Sequence, residues 1–151
     1  MNRWYERLWA VTILALLTSG AAAAADGVTG RGHAFRADIV IVRGTKVLLG
    51  GVATPDDGER CVVDTGVMTC SDAARDALDT LLSNDPVTCT FARKIGHGAF
   101  EGACRLSDGT DVAVRLLQSG WVRAKSRAPS NYAAAEAEAR AERRGIWATV
   151  P

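Results

Sequence analysis

The sequence predicts an α+β domain, a small five-stranded OB-type β-barrel carrying three helices. Three observations predict it: short β-branched runs come first, one amphipathic helix interrupts the strands, and two further helices close the chain.

The chain of 151 residues opens on a targeting pattern. Arg3 and Arg7 precede an apolar run, 8–17, and the stretch ends on Ala23-Ala24-Ala25 before Asp26, the arrangement of a cleavable signal peptide. A spanning helix needs roughly 20 apolar residues, so this run is too short for one. The expectation is an exported protein, periplasmic or secreted, without a membrane span after cleavage. Residues 26–151 form the domain, and their 126 residues suit a single core.

Within that domain, 37–49 reads as a hairpin. Ile39-Val40-Ile41-Val42 is β-branched, Arg43-Gly44-Thr45 turns, and Lys46-Val47-Leu48-Leu49 returns. Gly50 and Gly51 release the chain into Val52-Ala53-Thr54-Pro55, and 56–69 reads as a polar loop without sustained period. Ser71 is the expected N-cap of the first helix, with Asp72 complementing its dipole. Ala74, Ala77, Leu78, Leu81 and Leu82 share one helical face, and Asn84-Asp85-Pro86 ends it. Strands at 87–91 and 102–106 follow, joined by a link containing Gly96 and Gly98. Asp111 caps a short helix, 112–119, that stops at Gly120. The last helix, about 131–144, follows Pro129. Glu136 and Arg140 form an i,i+4 pair, Ala133, Ala137 and Ala141 offer a narrow packing edge, and Gly145 fills the C′ position. Trp121, Ile146 and Trp147 are left to seal these helices onto the strands, since aromatic side chains bury large areas.

Cys61, Cys70, Cys89 and Cys104 all follow the leader, and an even count in a small exported chain reads as disulfides. Of three possible connectivities, Cys61–Cys70 with Cys89–Cys104 is the most local and suits the strand reading. The second bridge would pin two strands and add about 3 kcal/mol by loop entropy. No C-x-x-C occurs, and His33 and His97 stand alone, so zinc is disfavoured. From 18 basic and 17 acidic residues the leader removes Arg3, Arg7 and Glu6, leaving 16 of each. That balance does not advertise a polyanion partner. Arg123, Lys125 and Arg127 cluster without acids, as a solvated loop does.

Three pieces then carry a resemblance. They are the Thr54-Pro55-Asp56 segment, the ending Tyr132, Glu136, Ala139-Arg140 and Arg143-Arg144-Gly145-Ile146-Trp147, and the four-cysteine spacing. Over roughly 34–148 the chain resembles the thermonuclease, or staphylococcal-nuclease-like, family in its exported bacterial form. The resemblance implies a calcium-dependent phosphodiesterase acting on DNA and RNA. Its active members use two aspartates and a threonine carbonyl on the ion, a glutamate that helps activate water, and two arginines on the phosphate. Hard cations want anionic oxygens, and developing phosphoryl charge wants preorganised forks.

Here Asp38 falls in the first metal-aspartate slot, Ala53 in the second, and Thr54 still offers its carbonyl. Asp56 stands in the glutamate slot, one methylene shorter. Leu48 replaces one arginine, and Phe100, Ala99 or His97 replaces the other, according to how the link is counted. Arg36 and Arg43 are the neighbouring cations that strand alternation would have to turn inward. Losing one transition-state donor costs roughly 10²–10³ in rate. The expected function is therefore a catalytically degenerate exported domain, acting as a binding or structural module in the cell envelope with an unknown envelope partner or ligand. No cofactor is then expected. The alternative is a residual nuclease, with calcium on Asp38 and the Thr54 carbonyl and with Asp56 and His97 as catalytic groups. A third reading keeps oligonucleotide or oligosaccharide binding on the barrel face without chemistry, and neutrality favours an uncharged ligand or a protein over nucleic acid.

Overall fold

The computed structural model describes residues 26–148. The expected leader, 1–25, lies outside them. Among the described residues ten strands and three helices form: β1 Gly27–Gly30, β2 Gly32–Arg36, β3 Ile39–Val42, β4 Thr45–Leu49, β5 Val52–Ala53, β6 Arg60–Val63, β7 Gly66–Thr69, α1 Cys70–Leu82, β8 Val87–Gly96, β9 Ala99–Arg105, α2 Val112–Gln118, β10 Arg123–Ala124 and α3 Ser130–Ala141. A 3-10 turn, Gly145–Trp147, follows α3.

Six strands make one sheet in the order β1-β8-β9-β4-β3-β2. Its two edges, β1 and β2, are successive pieces of the same stretch, separated only by Arg31. The sheet therefore curls until its first and last strands are continuous through one corner. Counting that bent segment once gives the five strands of an OB-type barrel, with β4 and β9 as its parallel pair. The strands expected from 37 onward do not include this first one, because Gly27, Gly30 and Gly32 dilute the β signal.

Alternation builds the interior. Val40, Val42, Val47 and Leu49 have no exposed surface, whereas Ile39, Ile41 and Leu48 between them turn to the outer face, where they are half-buried. Helix α1 packs its Ala73, Ala74, Leu78 and Leu82 face onto this barrel, and Leu116 and Leu117 of α2 complete the core. Both expected disulfides are present. Cys89–Cys104 joins directly opposed residues of β8 and β9, and Cys61–Cys70 ties β6 to the start of α1.

Four local expectations are corrected. The polar stretch 56–69 contains the hairpin β6–β7, whose short disulfide-tied strands carry too little period to be seen. The cap of α1 is Thr69, which accepts from the Asp72 N–H, so the helix starts earlier than Ser71 implies. Helix α3 buries Tyr132, Ala135 and Ala139, leaving Ala133, Ala137 and Ala141 exposed. Its last turn closes at Arg143, with φ of 53°, and the Arg144 N–H reaches back to the Ala139 carbonyl. Gly145 serves a different purpose. A Cβ there would lie 2.4 Å from the Gly120 carbonyl oxygen, and one on Gly120 would lie 2.2 Å from that of Arg144. Two glycines thus let the chain after α3 touch the end of α2, and the Ile146 N–H donates to the Gly120 carbonyl at 2.9 Å.

Candidate ligand site

The tight turn between β2 and β3 delivers Arg36 and Asp38 to one end of the barrel. Asp38 is 6 % exposed and is the one buried charged residue among the described residues. Its charge is met within the turn. Arg36 donates Nε to Oδ1 at 3.1 Å, and Nη2 to Oδ1 and Oδ2 at 2.9 and 3.0 Å. A guanidinium that grips both carboxylate oxygens is the strong, orienting form of ion pair. The Asp38 carbonyl also accepts the Leu49 N–H at 2.8 Å, which fixes the turn against β4.

Thr54 arrives from the opposite side. Strand β5 pairs with β10, Ala53 facing Arg123, and the Lys125 N–H donates to the Gly51 carbonyl. Gly51 has a φ of +79° and abuts the Tyr132 ring, so the chain can swing from β4 into β5 under α3. The loop beyond Pro55 is held by Glu59. Its carboxylate takes the Asp56 N–H at 3.2 Å and the Arg123 guanidinium at 2.8 and 3.0 Å, while its carbonyl accepts from Cys70. Arg123 is thus not part of a solvated loop. It is tied to Glu59 and lies over the Trp147 ring, whose other close cation is Arg140.

Between these two approaches and the first turn of α1 lies a cleft of about 330 Å³. Phe35 and Arg36 form one wall, Thr54 and Asp57 another, and Asp72 and Arg75 of α1 a third. Phe35 occupies the bulge between the paired residues Ala34 and Arg36, and is 52 % exposed. A bulge re-aims a side chain that plain alternation would direct elsewhere. The Lys46 ammonium sits 4.9 Å from the centre of the Phe35 ring, a cation–π contact that steadies it.

The sequence-derived residues do not converge. Arg36, Asp38 and Thr54 belong to this region, and Asp56 sits exposed in the following loop. His97 is at the tip of the β8–β9 hairpin, next to Gly98, whose carbonyl accepts from the Lys46 N–H at the opposite end of β4. Three residues of strand, about 10 Å, separate that end from the end leading to Thr54. Of the other residues aligned with the second arginine, Phe100 stacks on Phe91 with ring centres 4.0 Å apart, and Ala99 pairs with Lys46. Leu48 stands on the outer face opposite Glu101, which is ion-paired with Arg93. Arg43 closes the far β3–β4 turn and lies against Gly30.

Calcium takes six to eight oxygen ligands, several of them anionic. Among the described residues no three His, Cys, Asp or Glu side chains are grouped to hold a metal, and the Asp38 carboxylate is already engaged by Arg36. The residues present do not fit that ion. Phe35 and Arg75 were missed in the sequence: an aromatic beside an arginine is unremarkable there, and only the bulge and the placement of α1 bring the two together.

A larger groove of about 700 Å³ runs between α1 and α2, reaching Trp121, Glu138 and Arg144. Arg144 is committed to Glu142, Glu138 and the Gln118 carbonyl, and the two carboxylates, Glu142 foremost, hold its guanidinium charged to still higher pH than usual. None of the residues singled out from the sequence for metal or catalytic roles lines this groove.

Fold and cleft define a helix-bearing OB-type barrel with a small mixed-polarity cleft at one end. No protein-family model matches the chain. It is similar to the succinoglycan biosynthesis protein ExoI of Rhizobium meliloti (strain 1021), 33 % identical over 144 residues, covering 92 % of this chain and 74 % of the relative. The chain belongs to the family of that protein. No helix among the described residues is long and apolar enough to cross a membrane.

Proposed function

We propose that this protein is an exported, thermonuclease-like domain without hydrolytic activity, serving as a binding module in the assembly of a cell-envelope polysaccharide. The observation that carries the first half is the Arg36 fork on Asp38. The carboxylate that would face a metal is neutralised by the chain itself, while Ala53 and Leu48 supply neither the second carboxylate nor a phosphate-gripping arginine. Electrostatic stabilisation of the phosphoryl transition state then lacks its donors. Two disulfides support an oxidising compartment. The relative's name, which places it in succinoglycan biosynthesis, supports the second half.

The test is incubation of the purified, oxidised protein with single-stranded DNA and with RNA, in calcium and in chelator. The expected result is no calcium-dependent cleavage of either. Cleavage that disappears in the Asp38→Ala/Asp56→Ala double variant would replace this reading with a rebuilt phosphodiesterase.

A further inference from the structure

We infer that the cleft between Phe35, Thr54 and Arg75 binds a pyranose segment of an oligosaccharide. The inference rests on the non-hydrolytic reading above and names the ligand class of the same site.

The cleft has the size and the chemistry for it. Its volume of about 330 Å³ is at the small end of ligand sites, which suits a short stretch of sugar rings better than a folded partner. A sugar ring presents an apolar C–H face and a rim of hydroxyls, each both donor and acceptor. Phe35 supplies a half-exposed aromatic surface for the C–H face, held out of the sheet by its bulge and steadied by Lys46. The rim meets planar, two-pronged groups that match neighbouring hydroxyls: the guanidinium groups of Arg36 and Arg75 and the carboxylates of Asp57 and Asp72. Arg36 uses Nε and Nη2 on Asp38, and its Nη1 makes no hydrogen bond among the described residues. Thr54 and Ser71 add hydroxyls to the same walls.

Charge decides against a nucleic acid. Two arginines and two aspartates line the cleft, and both guanidinium groups are already ion-paired, Arg36 with Asp38 and Arg75 with Asp76, so phosphate binding, which draws its affinity from unbalanced cations and counterion release, has no surplus to use. Neutral hydroxyls lose nothing by that balance, because donors and acceptors are both needed. The Arg36–Asp38 pair, buried only on its carboxylate side, then acts as a positioning element that sets the guanidinium plane at the cleft wall.

The experiment is an amide-shift titration of the ¹⁵N-labelled purified protein with cellohexaose, with hexagalacturonate, and with a ten-residue oligothymidylate. At least one oligosaccharide is expected to move the amides of Phe35, Arg36, Thr54, Ser71 and Arg75 saturably, and the oligothymidylate is not. Phe35→Ala and Arg75→Gln replace exposed side chains, so their folds are expected to persist, and each is expected to weaken binding at least tenfold. Shifts with neither sugar, or shifts confined to the groove around Trp121 and Arg144, overturn the inference. So do shifts at the cleft with oligothymidylate alone. Nucleic-acid cleavage in the assay above would sink the non-hydrolytic reading separately, whatever the titration shows.

Discussion

At the scale of single residues, Asp38 carries the most consequence. A buried carboxylate is tolerated only when paired, and here the partner is two residues away in the same turn. Removing the partner strands the charge. Arg36→Ala is expected to destabilise the fold by about 1–3 kcal/mol, less than for a fully buried pair because Arg36 is itself 57 % exposed. A denaturant midpoint unchanged from wild type would show that the fork matters little to Asp38. Tyr132 gives a second residue-level prediction. Burial first, and then the Asp111 carboxylate that its hydroxyl faces at 3.3 Å, push this phenol up to about 12. The unfolded chain loses the proton near 10 and the folded one near 12, so stability falls as pH rises through that window. The loss is of the order of 1 kcal/mol, and Tyr132→Phe is expected to remove that part of the pH dependence. Parallel alkaline unfolding curves for the two proteins would contradict it. Neither role was legible in the sequence, where Asp38 was a metal-slot aspartate and Tyr132 a motif position. Each depends on which charged neighbour a fold brings close.

At the scale of elements, the strong patterns were readable and the weak ones were not. The hairpin β3–β4, the apolar face of α1 and the Asp111 cap of α2 each follow from a period or a cap that local physics enforces. The bent first strand and the β6–β7 hairpin do not, because glycines and a disulfide replace the hydrophobic alternation that usually marks a strand. Helix α3 shows a subtler failure. Its alanines lie on every face, so the spacing that singled out Ala133, Ala137 and Ala141 as the packing edge had nothing to favour it over its neighbours, and packing against α2 buried Ala135 and Ala139 instead. The end of α3 yields a prediction: Arg143 holds a left-handed conformation that glycine adopts freely. Relief of that strain, set against glycine's entropy in the unfolded chain, makes Arg143→Gly stabilising by about 0.5–1 kcal/mol. A lower melting midpoint would mean that the arginine side chain contributes more than its backbone costs. The β8–β9 bridge belongs to this scale too. Cys89 and Cys104 are fully buried and directly opposed, and replacing both with alanine is expected to cost about 3 kcal/mol. A loss under 1 kcal/mol, measured by chemical unfolding, would place the pinning of these strands elsewhere.

At the scale of the whole molecule, the barrel brings Phe35, Thr54 and Arg75 to one cleft and leaves His97 at the far end of β4. Fold class was legible because it rests on the order of elements, which a single sequence displays. The site was only half legible: residue types at aligned positions showed which groups were missing, and the tertiary course of the bulge and of α1 supplied the groups that stand there instead. If the guanidinium of Arg36 takes the place a cation would need beside Asp38, calcium has no seat there. The most direct measurement is a calcium titration of the ¹⁵N-labelled protein, followed at the amides of Asp38, Thr54 and Asp56. No saturable shift is expected at these positions up to millimolar calcium. A saturable shift at all three, lost in Asp38→Ala, would contradict it and restore a metal site to this end of the barrel.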